Sequence, residues 1–455
     1  MIPVSNALKA AFQSDSMIKT YYLYFPEVVD AETGKVDKEA KLLTNTNLAS
    51  DSITLTEPMC SEEQLHFGCN EAATFECEVE YEDESLVGRF FNVYMILGSE
   101  EEEQFNFTVG RYYVDSEEIN SDRKTKSITA YDINYILNRL DITYWIYQVN
   151  YPISIKNFRD SLFDYVGLDQ VNKNLINDSA VLNSNPLDGE TEVNFETVIK
   201  SLCEINATFG HINREGQFDY ITLTVTDNEE LYPNEDIYPS STLYPKSIKG
   251  KNYYIDPHLI QSNIVWQNYK CKTVDTVQVR NRAGGVVLEY HIAEKTTFTN
   301  IYVIQNNCLI DSFDSSTLQS VTYNFAMAIK NISYVPYEAS VKMNLAFEVG
   351  DPITLTGTDG TKIPSYIFNR TMNGICSAFD EFEATGYEEW INDPPDITDG
   401  AINDLADEIS DLDSRVRALE QGTSDSQIRI VSTDKLPTAP ERNVLYLIQG
   451  RVTVY

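Results

Sequence analysis

The sequence predicts a β-rich α+β chain in which two mostly antiparallel β domains flank a small α/β unit, followed by a short coiled coil and a small C-terminal β module. Three observations carry this expectation. Over most of the 455 residues short segments alternate apolar and polar side chains, and 29 Tyr and 20 Phe supply rings to cover sheets. Between residues 146 and 230 the apolar spacing lengthens to helical steps. From Ile402 to Glu420 the apolar residues fall at alternating steps of three and four. The expected divisions are 1–145, 146–230, 231–392, 396–422 and 423–455.

In order, Asn6 to Gln13 reads as a short helix behind Ser5. Strands follow at Tyr21 to Phe25 and Ile53 to Thr56. In the next strand Phe75, Cys77 and Val79 alternate with Glu76, Glu78 and Glu80, giving one buried and one acidic face. Arg89 to Leu97, Phe105 to Val114 and Lys126 to Tyr131 continue this texture, with Glu100 to Glu103 capping a hairpin. The α/β unit opens with Ile155, Phe158, Leu162 and Val166 at helical spacing between Ser154 and Gly167. Asn194 caps a second helix with Phe195, Val198, Ile199, Leu202 and Ile205 inward, ended by Gly210. A hairpin then turns at Arg214-Glu215-Gly216-Gln217.

Three apolar-Tyr-Pro units, Leu231-Tyr232-Pro233, Ile237-Tyr238-Pro239 and Leu243-Tyr244-Pro245, step by six. Proline at that period excludes a helix or a central strand and leaves an extended strap. Strands resume at Ser262 to Trp266, Thr273 to Arg280, Val286 to Ile292 and Ile301 to Ile304, with a helix from Ser316 to Ile332. A hairpin turned at Asp359-Gly360, then Tyr366 to Met372 and Phe379 to Thr385, complete the second β domain. Residues 428–455 hold two more strands, Val444 to Ile448 and Arg451 to Val454.

In the coil Ile402, Ile409 and Val416 take the a positions and Leu405, Leu412 and Leu419 the d positions. Arg415 at g and Glu420 at e match a short trimerisation motif, in which the guanidinium reaches the carboxylate of the neighbouring strand. The expected state is therefore a homotrimer. The earlier pair, Glu408 with Asp413, repels, and at about 1.5 Å per residue the seam is only on the order of 28 Å long. Such a coil records a trimer that other surfaces also hold.

The formal charge of −36, from 70 acidic and 34 basic residues, disfavours binding to a nucleic-acid backbone or an anionic membrane. Seven cysteines, Cys60, Cys69, Cys77, Cys203, Cys271, Cys308 and Cys376, show no two-residue spacing, so neither a zinc nor a disulfide framework is read. The N-terminus lacks a basic region before an apolar core, and no run reaches the length of a membrane span, so the expectation is a chain made in a cytoplasm. His66, His211, His258 and His291 are far apart and belong to no zinc-binding helix. Gly357 to Lys362 lacks the ending of a phosphate loop and reads as a hairpin turn. Cys203, eight residues before His211, lies on the apolar face of its helix and reads as core. No carboxylate pair for glycoside hydrolysis can be singled out among the acids. The expectation is no catalytic residue, no cofactor and no metal.

The run from Asn194-Phe195-Glu196 through Cys203-Glu204-Ile205 to Gly210-His211-Ile212 and Gln217-Phe218 resembles the central insertion of baseplate hub proteins of phage tails from Gram-positive hosts. These are the tail-tip or tail-associated proteins of siphophages and the related trimeric hubs of contractile tails. The Tyr-Pro repeat and the segments Gly350-Asp351-Pro352-Ile353 and Phe382-Glu383-Ala384-Thr385-Gly386 extend the resemblance over roughly residues 1 to 390. It implies two β-barrel-like domains per chain, joined by the α/β insertion, and a trimer whose six barrels adapt a sixfold tube to a threefold tip. Implied partners are distal-tail and tail-tube or tape-measure proteins, with a fibre or receptor-binding protein at the C-terminal module. DNA would pass along the axis without specific binding, which an acidic wall suits. The implied location is the virion tail tip, after assembly in the host cytoplasm. Many relatives continue into a cell-wall hydrolase, whereas here Pro394 is followed by a coil and 33 residues, which implies a structural hub without lytic activity. The rival expectations are a tail-borne cell-wall hydrolase or depolymerase and a peripheral receptor-binding protein.

Overall fold

The computed structural model describes residues 18–29, 35–98, 104–121, 124–223, 253–255, 257–262, 264–292, 299–357, 359–375, 377–390, 429–432, 444–448 and 451–454. The chain divides into two compact units, Met1–Asn392 and Asp393–Tyr455.

The first unit opens with β1 (Lys19–Phe25), β2 (Val28–Val29), β3 (Val36–Lys38), β4 (Lys41–Thr44), β5 (Thr54–Pro58), β6 (Thr74–Glu80), β7 (Phe90–Leu97), β8 (Phe105–Ile119) and β9 (Thr125–Tyr131). The period-two reading holds: Phe75, Cys77 and Val79 are buried in β6, with Glu76 and Glu80 exposed on its other face. β7 and β8 pair antiparallel from Leu97↔Phe105, flanking the four-glutamate run, which itself lies outside the described residues. β8 continues to Ile119, beyond the expected Val114, and two register shifts let it bend from one neighbour to the next.

Two short helices not expected from the sequence come next, α1 (Asn134–Leu137) and α2 (Thr143–Gln148). After β10 (Ile153–Ser154), α3 (Ile155–Val166) starts where Ser154 Oγ accepts from the Asn157 N–H and stops at Gly167, whose φ of 69° favours glycine. β11 (Val181–Leu182) precedes α4 (Phe195–Ile205), and β12 (Phe209–Ile212) and β13 (Phe218–Ile221) form the expected hairpin. Asn194 has the extended backbone of an N-cap, but its side chain makes no capping bond. α4 also ends at Ile205 rather than at Gly210. Gly210 sits in β12, where a Cβ would lie 2.2 Å from Asn70 Oδ1, so close strand approach rather than helix termination calls for glycine.

The remainder comprises β14 (Tyr253–Ile255), β15 (Val265–Trp266), β16 (Thr276–Arg280), β17 (Val286–His291), β18 (Ile301–Ile304), α5 (Ser315–Ile329), β19 (Tyr337–Lys342), β20 (Pro352–Thr356), β21 (Lys362–Tyr366), β22 (Asn369–Asn373) and β23 (Phe379–Ala384). Asp314 caps α5 by accepting from the Thr317 N–H at 2.7 Å. The strand expected from Tyr366 to Met372 is two strands in different sheets: β21 pairs with β20, and β22 pairs with β23 and β5.

An 11-stranded sheet runs in the order β15-β19-β23-β22-β5-β6-β9-β8-β7-β1-β4. None of the described sheets closes into a barrel. The reason lies at β5: β6 occupies one side, and β22 occupies the side that closure of the N-terminal strands would need, in register from Asn369↔Pro58 to Asn373↔Thr54. One apolar core gathers Tyr21, Phe75, Phe91 and Val114 of the N-terminal strands, and receives Met343, Leu345 and Met372 from far along the chain. The other surrounds α3, α4 and α5, and receives Phe67 and Cys69 from the N-terminal part. Each core is thus built from segments remote in sequence.

In the second unit β24 (Arg429–Ser432) lies parallel to β25 (Val444–Ile448), which pairs antiparallel with β26 (Arg451–Val454). The sequence anticipated β25 and β26 but not β24. The N-terminal helix, the Tyr-Pro strap and the heptad seam lie outside the described residues. No described helix is long and apolar enough to cross a membrane.

Candidate functional site

The outward face of the long sheet is polar through its middle. In β22 and β5 it presents Asn369, Thr371 and Asn373 beside Thr56 and Thr54, with Thr56 and Thr371 hydroxyls 3.4 Å apart. To one side come Glu381 and Glu383 of β23 and Glu338 of β19, to the other Thr74, Glu76, Glu78 and Glu80 of β6. Glu338 stands directly opposite Glu383, a like-charged cross-strand pair that works against the sheet. A groove of about 400 Å³ runs here, lined by Glu338, Asn369, Thr371, Glu381 and Glu383. Such a face can repel polyanions and offers little apolar surface to a bound ligand.

Among the described residues β15, at one end of this sheet, pairs only with β19 and exposes Val265 (60%) and Trp266 (40%), and β4, at the other end, pairs only with β1 and exposes Leu42 (52%). An edge strand with one unpaired side and apolar residues is a template for another strand. Beside β15 a second groove is lined by Glu63, Trp266, Tyr269 and Tyr387.

Under the sheet, where β5 meets β22, lies a buried ionic cluster. Arg370 Nη1 is 3.1 Å from Glu57 Oε2 and 2.9 Å from the Phe347 carbonyl oxygen, while Nη2 is 2.9 Å from Asp380 Oδ1. Burial opposes the Glu57 carboxylate, but Arg214, Arg370 and His211 outweigh it and hold its pKa below the ordinary value. Burial lowers the pKa of His211 against the pull of Glu57 and Asp219. Asp132 provides a contrast. It accepts backbone N–H groups of Ala73 and Asn134 at 2.9 and 2.8 Å, yet burial pushes its pKa up to about 7. The cluster is a clamp across strands from the two ends of the chain, since a guanidinium does not give up its proton.

A third feature is the loop from Met59 to Asn70. Ser61 binds Glu71 through its backbone N–H and hydroxyl, Gly68 N–H donates to the Thr208 carbonyl, and Phe67 packs on Phe209, Tyr302 and Phe325 at ring distances of 5.1, 5.7 and 5.6 Å. Gly68, at φ +96°, passes so close to α4 that a Cβ would meet the Lys200 carbonyl at 2.7 Å. The loop brings Cys60 Sγ to 3.3 Å from Cys69 Sγ and His66 Nε2 to 3.7 Å from Glu204 Oε1.

The sequence-predicted trimer residues Ile402, Leu405, Ile409, Leu412, Arg415, Val416, Leu419 and Glu420 lie outside the described residues. Cys203 is fully buried in α4 and burial lifts its thiol to about 12, in keeping with a core residue. His291 Nδ1 bonds Thr276 Oγ1 at 3.0 Å, and His258 lies in the short 3-10 turn Pro257–Leu259. Sequence reasoning missed Arg370, Glu57 and Asp380, whose signal is a charge at an inward position of an alternating strand. It also missed the grouping of Cys60, Glu62, His66 and Cys69, because it sought two-residue cysteine spacings and helical histidine pairs.

No family model and no curated protein matches the chain. Among solved structures it is similar to the 43 kDa tail protein of prophage MuSo2 from Shewanella oneidensis, at 11% identity and a TM-score of 0.44 over 80% of this chain and 98% of that one. It is similar to the tail protein from Neisseria meningitidis MC58 at 8% identity and a TM-score of 0.43, covering 82% and 98%. A chain of the lidded Francisella PdpA–VgrG complex gives 10% identity and a TM-score of 0.42, covering 86% of this chain and 56% of that one.

Proposed function

We propose that the chain is the structural hub of a phage tail or tail-like particle: a homotrimer at the tail tip that adapts a sixfold tube to a threefold end and lines the DNA exit path. The observation that carries this reading is the eleven-stranded sheet, which joins strands from remote parts of the first unit, has two different edge strands unpaired on one side among the described residues, and turns a threonine and carboxylate face outward. Different edges on one sheet make a head-to-tail contact, and head-to-tail contacts give a ring when the rotation between copies closes. The N-terminal strands and the strands after residue 231, joined in one sheet, would supply the two β regions per copy that a pseudo-sixfold ring requires. The carboxylates of β23, β19 and β6 would face the channel, where like charge keeps DNA from adhering.

In this reading the seam from Ile402 to Leu419, with Arg415 and Glu420 as its ion pair, extends the threefold axis. Distal-tail and tail-tube or tape-measure proteins bind above, and the module at 423–455 carries a fibre or receptor-binding part. The role is assembly and passage rather than catalysis. The test is averaged electron-microscope images of purified particles decorated with an antibody to this chain. Three copies around the axis at the tail end support the hub. Label on peripheral fibres would move the function to receptor binding, and clearing of host cell walls by the purified chain would move it to hydrolysis.

A further inference from the structure

We infer that Cys60, Glu62, His66 and Cys69 form a zinc-binding site that closes the loop between β5 and β6 on itself. One ligand atom from each of Glu62, His66 and Cys69 lies within 4.8 Å of the others, and Cys60 Sγ is 3.3 Å from Cys69 Sγ. Two sulfurs, an imidazole and a carboxylate are a donor set that suits Zn²⁺ in tetrahedral coordination. With Zn–S bonds of about 2.3 Å, tetrahedral geometry separates two sulfurs by about 3.8 Å. The observed pair therefore has to open by about half an ångström to receive the ion, whereas a disulfide of about 2.05 Å needs a closing movement more than twice as large.

The surroundings are those of a built site. The loop ends are pinned by Ser61 on Glu71 and by Gly68 on Thr208, so little order has to be gained on binding. His66 Nε2 lies 3.7 Å from Glu204 Oε1, and Asn307 Nδ2 donates to Glu204 Oε2 at 2.8 Å, so a carboxylate fixed by a buried amide stands beside the imidazole. Glu62 is exposed and His66 half-buried, which gives an entry path from solvent, while both cysteines are buried behind them. Lys200, the cation nearest the loop on α4, is held by Glu196 at 2.6 Å. On binding, the two thiols release their protons to solvent and the sulfurs ligate as thiolates.

The test uses the full chain, stripped with a chelator under reducing conditions and titrated with Zn²⁺, with Co²⁺ as the spectroscopic probe. The expected result is one ion per chain, Co²⁺ bands of thiolate coordination, a rise in Tm on saturation, and protection of two thiols from alkylation. Cys60→Ser and Cys69→Ser should abolish the thiolate bands. Glu204→Gln should weaken binding about 10- to 100-fold while the bands remain. His66→Gln and Glu62→Gln, at partly exposed positions, should weaken binding while the apo Tm stays that of the stripped wild type. Three outcomes overturn the inference: no stoichiometric ion, binding unchanged in the Cys60→Ser/Cys69→Ser double variant, or a Cys60–Cys69 disulfide in the chain as isolated.

Discussion

Two junctions hold remote parts of the first unit together, and they are made differently. Where β22 joins β5, the contact beneath the sheet is ionic: one guanidinium shared by Glu57 and Asp380, all buried. Where the loop after β5 meets β12, β18 and α5, the contact is aromatic, with Phe67 among Phe209, Tyr302 and Phe325. Apolar packing tolerates many arrangements of similar volume. A buried charge does not, because any register that separates Arg370 from its carboxylates leaves an uncompensated ion. The difference suggests a division of labour in which the aromatic junction supplies stabilisation and the ionic one fixes which strands pair, which a sheet built from remote segments needs.

The comparison breaks most directly at Arg370. Arg370→Met strands two buried carboxylates and should cost about 3–5 kcal/mol near neutral pH, read from urea denaturation. Because the pKa of Glu57 is depressed in the fold, its stabilisation is present above its unfolded value of 4.5 and is lost as pH falls through its folded value. The cost of Arg370→Met should therefore shrink in acid. Phe67→Ala should cost a similar amount, about 3–5 kcal/mol, with no such pH dependence. Equal pH dependence of the two variants would erase the distinction.

Asp132 sharpens the comparison as a buried carboxylate held by backbone N–H groups instead of a guanidinium. Its folded pKa of about 7 lies above the unfolded value of 3.8, so the folded chain binds the extra proton between those limits. Its contribution to stability therefore falls as pH rises from about 4 to about 7 and stays low above that, a change on the order of a few kcal/mol. The Tm difference between Asp132→Asn and wild type should move in favour of the variant from pH 5 to pH 8. The smallest effect is expected on the outward face, where Thr56→Val should change stability by no more than about 0.5 kcal/mol.

How much of this was legible in the sequence follows the range of each signal. Local patterns were readable: alternation in β6, the Ser154 and Gly167 boundaries of α3, the hairpin at Gly216. Two local readings failed for nonlocal reasons. Gly210 looked like a helix stop but answers to Asn70, far away in sequence, and Tyr366 to Met372 looked like one strand but splits between sheets. The pairing of β22 with β5 joins residues more than 300 positions apart, and no periodicity encodes a partner at that distance. Glu62, His66 and Cys69 are close in sequence, yet only the turn of the loop shows that they converge, with Cys60 beside Cys69.

The central claim, that the first unit assembles into a ring, is tested most directly by the solution mass of the full chain and of a chain ending at Pro394. The account predicts a trimer in both, the ring being held by the sheet edges with the heptad seam only extending its axis. Monomers in both would contradict it.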